Sequence, residues 1–139
     1  MSQPELIDGE IFTDERGSVS ALNSFVLGEQ KRLYVIDQNP NITRNWNGHK
    51  DEKKWFFCLS GKAKIGLVKV DNWQNPSKDL QVFCYLLSGK KSQILCVPKG
   101  YANCIKTEGE HAQILVLSEK TLNEALGEQI KYPPQTWAI

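Results

Sequence analysis

The chain consists largely of short apolar segments of strand type, which follow one another closely and are separated by turn-forming residues. Eight of these segments are SVSALNSFVL, RLYVID, KWFFCLS, AKIGLVKV, LQVFCYLL, SQILCVP, NCIKT and AQILVLS. The sequences between them, such as DERG, QNPN and LSGK, carry the Gly, Pro, Asn and Asp residues that tight turns require. Many short strands at this spacing build an antiparallel sandwich or barrel. We therefore expect an all-β fold.

One segment has the pattern of a helix. In TLNEALGEQI, Thr121 is suited to cap the helix, and Glu124 three residues later completes the spacing of a capping box. The two prolines of the following KYPPQTWAI cannot continue it, so the helix is expected to be short and C-terminal. With 139 residues, 40% of them apolar, and no repeat or linker, the chain is expected to form one domain over residues 1–139.

The charge balance restricts the kinds of partner. Seventeen Lys and Arg against sixteen Asp and Glu leave a formal charge of +1, whereas binding of nucleic acid or an anionic membrane by charge normally needs a basic excess. No apolar run approaches the roughly 20 residues of a membrane span, and the start MSQPELIDGEIF has no signal-peptide pattern. We expect a cytoplasmic protein with no nucleic acid or membrane as partner.

Two segments carry the polar residues with the greatest chemical potential. Of the two histidines, His111 follows a turn and is expected at the surface, whereas His49 lies in RNWNGHKDEKKWFFCLSG, where a loop enters a strand. A period of two places Asn47 on the same face as His49. The second segment, ILCVPKGYANCIK, runs from a strand through Pro-x-Gly to Asn103.

These segments resemble the two halves of the cupin signature, which marks a family of jelly-roll barrels. The matching positions are Asn47, His49, Lys54 and Gly61 in the first half, and Pro98, Gly100 and Asn103 in the second. The resemblance implies a cupin jelly-roll β-barrel or sandwich with a short C-terminal helix.

The same alignment argues against a metal. Three of the four positions that hold metal ligands in the family are occupied by Asn47, Lys54 and Asn103. A lone imidazole does not hold a divalent ion, and an ammonium group at the glutamate position repels one. We expect a cupin without a metal or another cofactor.

A metal-free cupin with a lysine at this position resembles the dTDP-4-dehydrorhamnose 3,5-epimerases and the related dTDP-sugar 3,4-ketoisomerases. In chain order, the matching motifs are Asp-x-Arg-Gly at 14–17, Lys-Arg-x-Tyr-x-Ile at 31–36, the arginine at 44 with position 47, Lys-Trp-Phe at 54–56 and Pro-x-Gly-Tyr-Ala-Asn at 98–103. The resemblance spans most of the chain. It implies a nucleotide-sugar isomerase or epimerase that removes a proton next to the ketone of a dTDP-4-keto-6-deoxyhexose.

The resemblance and the chemistry together suggest a role for each residue. His49 is the candidate base, because an imidazole titrates near neutrality, and Tyr34 and Lys54 are placed to stabilise the enediolate. The candidate substrate-binding residues are Arg16 and Arg44 for the diphosphate, Trp46 and Tyr101 as aromatic surface, and Asn47 and Asn103 as polar neighbours.

Two departures from the family keep a second hypothesis open. The family's base histidine falls on Asn47 and its acid tyrosine on Val116. The alternative is therefore a non-catalytic cupin that binds a nucleotide sugar or another sugar ligand. At residue level the competing interpretations are structural: a turn stabilised by Arg16, a solvated Lys54, a core Tyr34 and a His49 that only forms hydrogen bonds.

The sequence also bears on assembly. Antiparallel sheets with open edges tend to be paired or covered, and the N-terminal segment is apolar enough to reach a second chain. Relatives of this type exchange such strands, so a two-fold homodimer is expected.

Overall fold

The computed structural model describes residues 2–139 and confirms an all-β chain with one short helix. In chain order the strands are β1 (Glu5–Asp8), β2 (Glu10–Asp14), β3 (Gly17–Ala21), β4 (Arg32–Gln38), β5 (Thr43–His49), β6 (Lys54–Ser60), β7 (Lys62–Lys69), β8 (Phe83–Ser88), β9 (Gln93–Val97), β10 (Tyr101–Lys106), β11 (Ala112–Ser118) and β12 (Gln129–Lys131). The helix α1 is Leu122–Ala125, and a 3-10 turn covers Pro134–Thr136. No helix in the described part of the chain is long and apolar enough to cross a bilayer.

Two five-stranded antiparallel sheets form the jelly roll. One has the order β1-β9-β6-β11-β4 and the other β12-β5-β10-β7-β8, while β2 and β3 form a separate hairpin. The main apolar cluster takes residues from both sheets, among them Phe56 of β6 and Ile65 of β7. Burial of this shared face is what holds the two sheets together.

Strand alternation separates an interior face from an outer face. On β6, Phe56 and Cys58 join the interior cluster, whereas Trp55 and Phe57 pack on the outer face under Leu22 and other apolar side chains. Lys54 has the same parity as Phe56 and therefore belongs to the interior face.

The C-terminal tail covers the outer face of the second sheet. Trp46 is fully buried there, its indole N–H donates to the carbonyl of Trp137 at 3.1 Å, and the Trp137 indole donates to Ser77 at 2.9 Å. The two indoles meet edge to face, with ring centroids 5.3 Å apart. The back of β5 is thus fixed by aromatic packing.

The predicted helix over 121–130 is too long. The capping box is present, with the hydroxyl of Thr121 accepting from the Glu124 amide, but α1 is a single turn with no buried residue. Gly127 adopts a φ of +80°, and the chain then forms β12 along the free edge of β5. Pairing with that edge satisfies backbone groups that a second helical turn would have used.

Candidate active site

A buried polar cluster occupies one end of the barrel interior. The sheet register brings Ser118 opposite both Arg32 and Lys54, so the start of β4, the start of β6 and the end of β11 lie together. In the second sheet His49 is opposite Tyr101, at the end of β5. The loop 50–53 joins β5 to β6 and carries Glu52 into the space between the sheets.

Glu52 is the centre of this cluster. It is only 2% exposed. Its Oε1 lies 3.2 Å from Nδ1 of His49, and its Oε2 lies 3.4 Å from a terminal nitrogen of Arg32 and 3.7 Å from Nζ of Lys54. The hydroxyl of Ser118 donates a short hydrogen bond to the same Oε2. One carboxylate therefore connects side chains from β4, β5, β6 and β11.

These contacts keep the Glu52 carboxylate ionised. Burial alone raises the pKa of a carboxyl, but the hydrogen bonds from His49 and Ser118 and the charge of Lys54 outweigh it and lower the pKa of Glu52 to about 2. A buried charge with this many donors is satisfied rather than isolated.

Lys54 and Tyr34 form a close pair beside Glu52. Nζ of Lys54 donates to the Tyr34 hydroxyl at 2.6 Å and lies 5.1 Å from the centroid of its ring. Lys54 is 6% exposed, so its interpretation as a solvated member of the surface charge run is wrong. An ammonium at this distance stabilises negative charge on the tyrosine oxygen or on an oxygen bound beside it.

His49 is held from one side. Nδ1 faces two carboxylates, Glu52 at 3.2 Å and Glu128 at 3.4 Å, and the other oxygen of Glu128 accepts the Asp51 amide at 2.6 Å. Nε2 has no hydrogen-bond or ion-pair partner in residues 2–139, and it retains some access to solvent. The free nitrogen of the ring is thus Nε2.

Asn47 and Asn103 face each other across β5 and β10. Asn47 accepts a hydrogen bond from the side-chain amide of Gln129 at 2.6 Å, and Asn103 is buried. Both side chains lie on the interior face beside His49, as the period-two pattern predicts.

A β-bulge turns Arg44 toward the same face. Asn103 pairs with Asn47 and Ile105 pairs with Arg44, so two residues of β5 stand opposite Cys104 alone. Directly opposed residues share a face, and Ile105 belongs to the interior cluster. Arg44 is therefore on the interior side, where strict alternation would have placed it outside.

Lys131 is a second cation at this edge, and the sequence analysis missed it. It lies opposite Asn47 in the β12–β5 register and is exposed, and neither it nor Arg44 has an ion-pair partner within residues 2–139. No local signal identifies it, because Lys131 begins the tail that follows the predicted helix, and that tail has no strand pattern.

Three residues selected from the sequence do not contribute an open surface to this cluster. Arg16 lies in the β2–β3 turn, its side chain 85% exposed and paired with Asp14 at 2.6 Å. Trp46 faces away from the interior and is covered by the tail. Tyr101 lies beside His49 but is buried in the apolar core, where burial raises its pKa. The prediction that Trp46 and Tyr101 offer an aromatic surface to a ligand is therefore wrong within this chain, because both rings are buried.

The structure also shows a ligand set for a metal that the sequence analysis did not consider. One atom each from His49, Glu52 and Glu128 lies within 4.8 Å of the others. Two cations, Lys54 and Arg32, already contact Glu52, and they repel a divalent ion. The donor set is therefore poorly suited to a metal.

The strand order and the polar cluster at one end of the interior define a cupin-type jelly-roll barrel with an internal polar site. No family model matches the chain, and no curated protein matches it in sequence.

Solved structures share the fold over nearly the whole chain. The WlaRB TDP-quinovose 3,4-ketoisomerase from Campylobacter jejuni is 24% identical, with a TM-score of 0.73 and 95% of each chain covered. A histidine-to-asparagine mutant of the QdtA 3,4-ketoisomerase from Thermoanaerobacterium thermosaccharolyticum, in complex with TDP-4-keto-6-deoxyglucose, is 22% identical, with a TM-score of 0.71 and coverage of 95% of this chain and 89% of that one.

A third structure of the same fold comes from Legionella pneumophila. Its dTDP-6-deoxy-D-glucose-3,5-epimerase RmlC is 14% identical, with a TM-score of 0.77 over 94% of this chain and 73% of that one. At these identities the likeness establishes the jelly-roll fold.

Proposed function

We propose that this protein is a cytoplasmic, metal-independent epimerase or 3,4-ketoisomerase of a dTDP-4-keto-6-deoxyhexose. The observation that carries the proposal is the buried chain of contacts from His49 through Glu52 to Lys54 and Tyr34. Proton abstraction next to a ketone needs a base beside a group that stabilises the developing oxyanion, and these residues have the chemistry for both roles. Structures of the same fold that bind TDP-sugars support this substrate class.

The reaction begins at the carbon next to the C4 ketone. Nε2 of His49 takes the proton, the electron pair of the C–H bond moves to form the enediolate, and negative charge develops on the former carbonyl oxygen. Lys54 and the Tyr34 hydroxyl stabilise that oxygen. Protonation of C3 from the opposite face by solvent gives the epimer, and His49 then releases its proton to solvent. For ketone transfer, the proton on His49 is delivered to C4, and the C3 hydroxyl proton passes to the C4 oxygen, so that the ketone lies at C3.

The diphosphate requires fixed positive charge at the edge of the site. Arg44 and Lys131 supply it within one chain, because both lie on the interior side near Asn47 and have no carboxylate partner in the described residues. A guanidinium is always charged and binds phosphate oxygens in pairs. We assign Arg44 and Lys131 to the diphosphate.

We also propose a homodimer, in which Arg16 serves the site of the second chain. The β2–β3 hairpin forms its own sheet and exposes the cross-strand pair Phe12 and Val19, 59% and 64% exposed. On the edge strand β4, Leu33 is also 59% exposed. An apolar hairpin and an apolar edge fit a second copy, and Arg16 at the hairpin tip would then reach a neighbouring diphosphate.

The alternative is a non-catalytic cupin that binds a nucleotide sugar. Two observations favour it: Asn47 is an amide engaged with Gln129, and Val116, at the family's acid position, is a fully buried part of the apolar core. Neither residue moves a proton. Under this alternative the cation pair Arg44 and Lys131 still binds the diphosphate.

Solvent exchange separates the two functions. The protein is incubated with a dTDP-4-keto-6-deoxyhexose in D2O, and deuterium next to the ketone is followed by NMR and mass spectrometry. An enzyme incorporates deuterium at a rate set by protein concentration, and the position of the label and the product identify epimerisation or ketone transfer. Binding of dTDP with neither deuterium incorporation nor a new product would establish the binder.

A further inference from the structure

Glu52 is the most heavily engaged polar residue of the interior, although nothing in the sequence pattern marks it. It lies in the charge run DEKK, which resembles a solvated loop, and yet it is buried against four polar side chains. The roles described above for His49, Lys54 and Tyr34 do not explain why a carboxylate lies between them.

We propose that Glu52 is the positioning residue of this site: it fixes His49 in the tautomer with the proton on Nδ1 and connects that ring to the Lys54–Tyr34 pair. The consequence for turnover rests on the proposed function. The tautomer itself does not, because it follows from the contacts alone.

Donor and acceptor chemistry determines the tautomer of His49. An ionised carboxylate only accepts hydrogen bonds, and the nitrogen that faces it must carry the proton. Nδ1 of His49 faces Oε1 of Glu52 at 3.2 Å and Oε2 of Glu128 at 3.4 Å. With two acceptors and no donor on that side, a lone pair at Nδ1 would be repelled, so the neutral ring carries its lone pair on Nε2.

Glu52 can hold this proton without taking it. Its other oxygen, Oε2, receives the Ser118 hydroxyl and lies near Arg32 and Lys54, and these groups come from three separate strands. They hold the carboxylate in its ionised form when His49 becomes an imidazolium during turnover. The positive ring then has a fixed negative partner.

Glu52 is better placed for this role than Glu128. The Glu52 side chain is 1% exposed, compared with 11% for Glu128, and only Glu52 also contacts Lys54. Fixing one carboxylate therefore sets both the orientation of the base and the charge next to the Tyr34 hydroxyl.

The first test is the tautomer in the wild-type protein. The chain has two histidines, so long-range ¹H–¹⁵N spectra of ¹⁵N-labelled protein contain two imidazole patterns, and His111→Asn assigns them. We expect the Nδ1–H form of neutral His49. A neutral Nε2–H pattern for His49 would overturn the inference, whatever the protein's activity.

The second test is Glu52→Gln, with Glu119→Gln as the matched control. Glu119 lies in a nearby loop, accepts the Lys53 amide and does not contact His49. The side-chain amide that Glu52→Gln introduces can donate to Nδ1, so we expect the Nε2–H tautomer to gain population and turnover to fall about 10²- to 10⁴-fold. The affinity for dTDP stays within a few-fold, and Glu119→Gln changes none of these.

The outcomes separate the inference from the proposed function. An active wild type whose Glu52→Gln variant keeps both its tautomer and its turnover would overturn the inference. Absence of turnover in the wild type, with the Nδ1–H tautomer present and lost in Glu52→Gln, would overturn the enzyme proposal and support the positioning role. Should Glu52→Gln not fold, the wild-type spectrum still decides the tautomer.

Discussion

At the scale of single residues, the proposed chemistry depends on one imidazole. His49 is buried among interior strands, whereas His111, whose side chain is 46% exposed, pairs with Asp37 at the surface. The Asn47 amide is not basic, and the Val116 side chain has no acidic proton to donate. Under the proposed function, His49 is therefore the base and the Lys54–Tyr34 pair is its electrophilic partner.

His49→Asn is expected to abolish turnover while leaving dTDP affinity within a few-fold, because a base acts on the transition state and not on the anchored diphosphate. Arg44→Ala is expected to do the reverse and weaken dTDP binding by about 10- to 150-fold, the value of a charge-assisted contact of roughly 1.5–3 kcal/mol. Calorimetry and initial rates measure both. Full turnover by His49→Asn on a demonstrated substrate would show that His49 is structural.

The burial of Glu52 leads to a second prediction, which concerns the stability of the fold at acid pH. Its pKa of about 2 in the folded protein lies below the ordinary value of 4.5, so it stabilises the fold above about pH 5, and this stabilisation is lost as the pH falls toward 2. The difference corresponds to about 3 kcal/mol. In urea titrations, the free energy of unfolding of the wild type should fall more steeply between pH 5 and 2 than that of Glu52→Gln. Parallel curves would contradict this.

At the scale of elements, the sequence predicted the apolar strands well and the polar ones poorly. KWFFCLS and AQILVLS match β6 and β11 at both ends, because both faces of these strands are buried. Strand β5, TRNWNGH, has little apolar signal, since its interior face carries the site. Strand β12 depends on the free edge of β5, a tertiary contact that no local pattern contains.

The candidate site shows the same division. His49, Lys54 and Tyr34 were selected through their chemistry and the family resemblance, and the structure brings them together. Glu52 and Lys131 were missed. A buried carboxylate in a charged loop and a lysine on a paired edge strand gain their meaning only from the neighbours that folding supplies.

The packing behind β5 yields a prediction at this scale. Gly48 lies between Asn47 and His49, and a Cβ there would stand 2.7 Å from the Trp73 ring and 3.2 Å from the Ile130 carbonyl. Gly48→Ala is expected to cost about 1–3 kcal/mol and to lower turnover through displacement of His49. Chemical denaturation measures the first effect and initial rates the second.

Gly28→Ala is the matched control, because a Cβ at Gly28 would meet no atom within 4 Å. It should leave stability and rate near those of the wild type. A Gly48→Ala protein as stable as the Gly28→Ala protein would show that the Trp73 ring can move away without loss of folding free energy.

At the scale of the whole molecule, we predict that the purified protein carries no stoichiometric transition metal. Three of the four positions that hold metal ligands in cupins are occupied here by Asn47, Lys54 and Asn103. The carboxylate of Glu52 is already paired with Lys54 and Arg32. Elemental analysis should find well below one equivalent, and a chelator should leave the Tm unchanged. One equivalent of zinc, iron or manganese that is lost in His49→Asn would contradict this.

Assembly gives the last prediction. The exposed pair Phe12 and Val19 is expected to form part of a two-fold interface, so light scattering at micromolar concentration should give the mass of a dimer. Changing both to Lys should produce a monomer, because burial of two charges without partners is unfavourable. Gln74→Lys and Asn75→Lys, both exposed in the loop between β7 and β8, serve as controls. A monomeric wild type would refute the proposal.

The strand order also determines when each strand meets its neighbours during synthesis of the chain. Within residues 2–139, strand β6, with Trp55 and Phe56, pairs only with β9 and β11, so its second neighbour is complete at Ser118, 58 residues after Ser60. At a synthesis rate of about 5–20 residues per second, that interval lasts roughly 3 to 12 s. For those seconds an apolar strand of the nascent chain has no finished sheet to join, and its solubility in the cell depends on what the ribosome and chaperones provide.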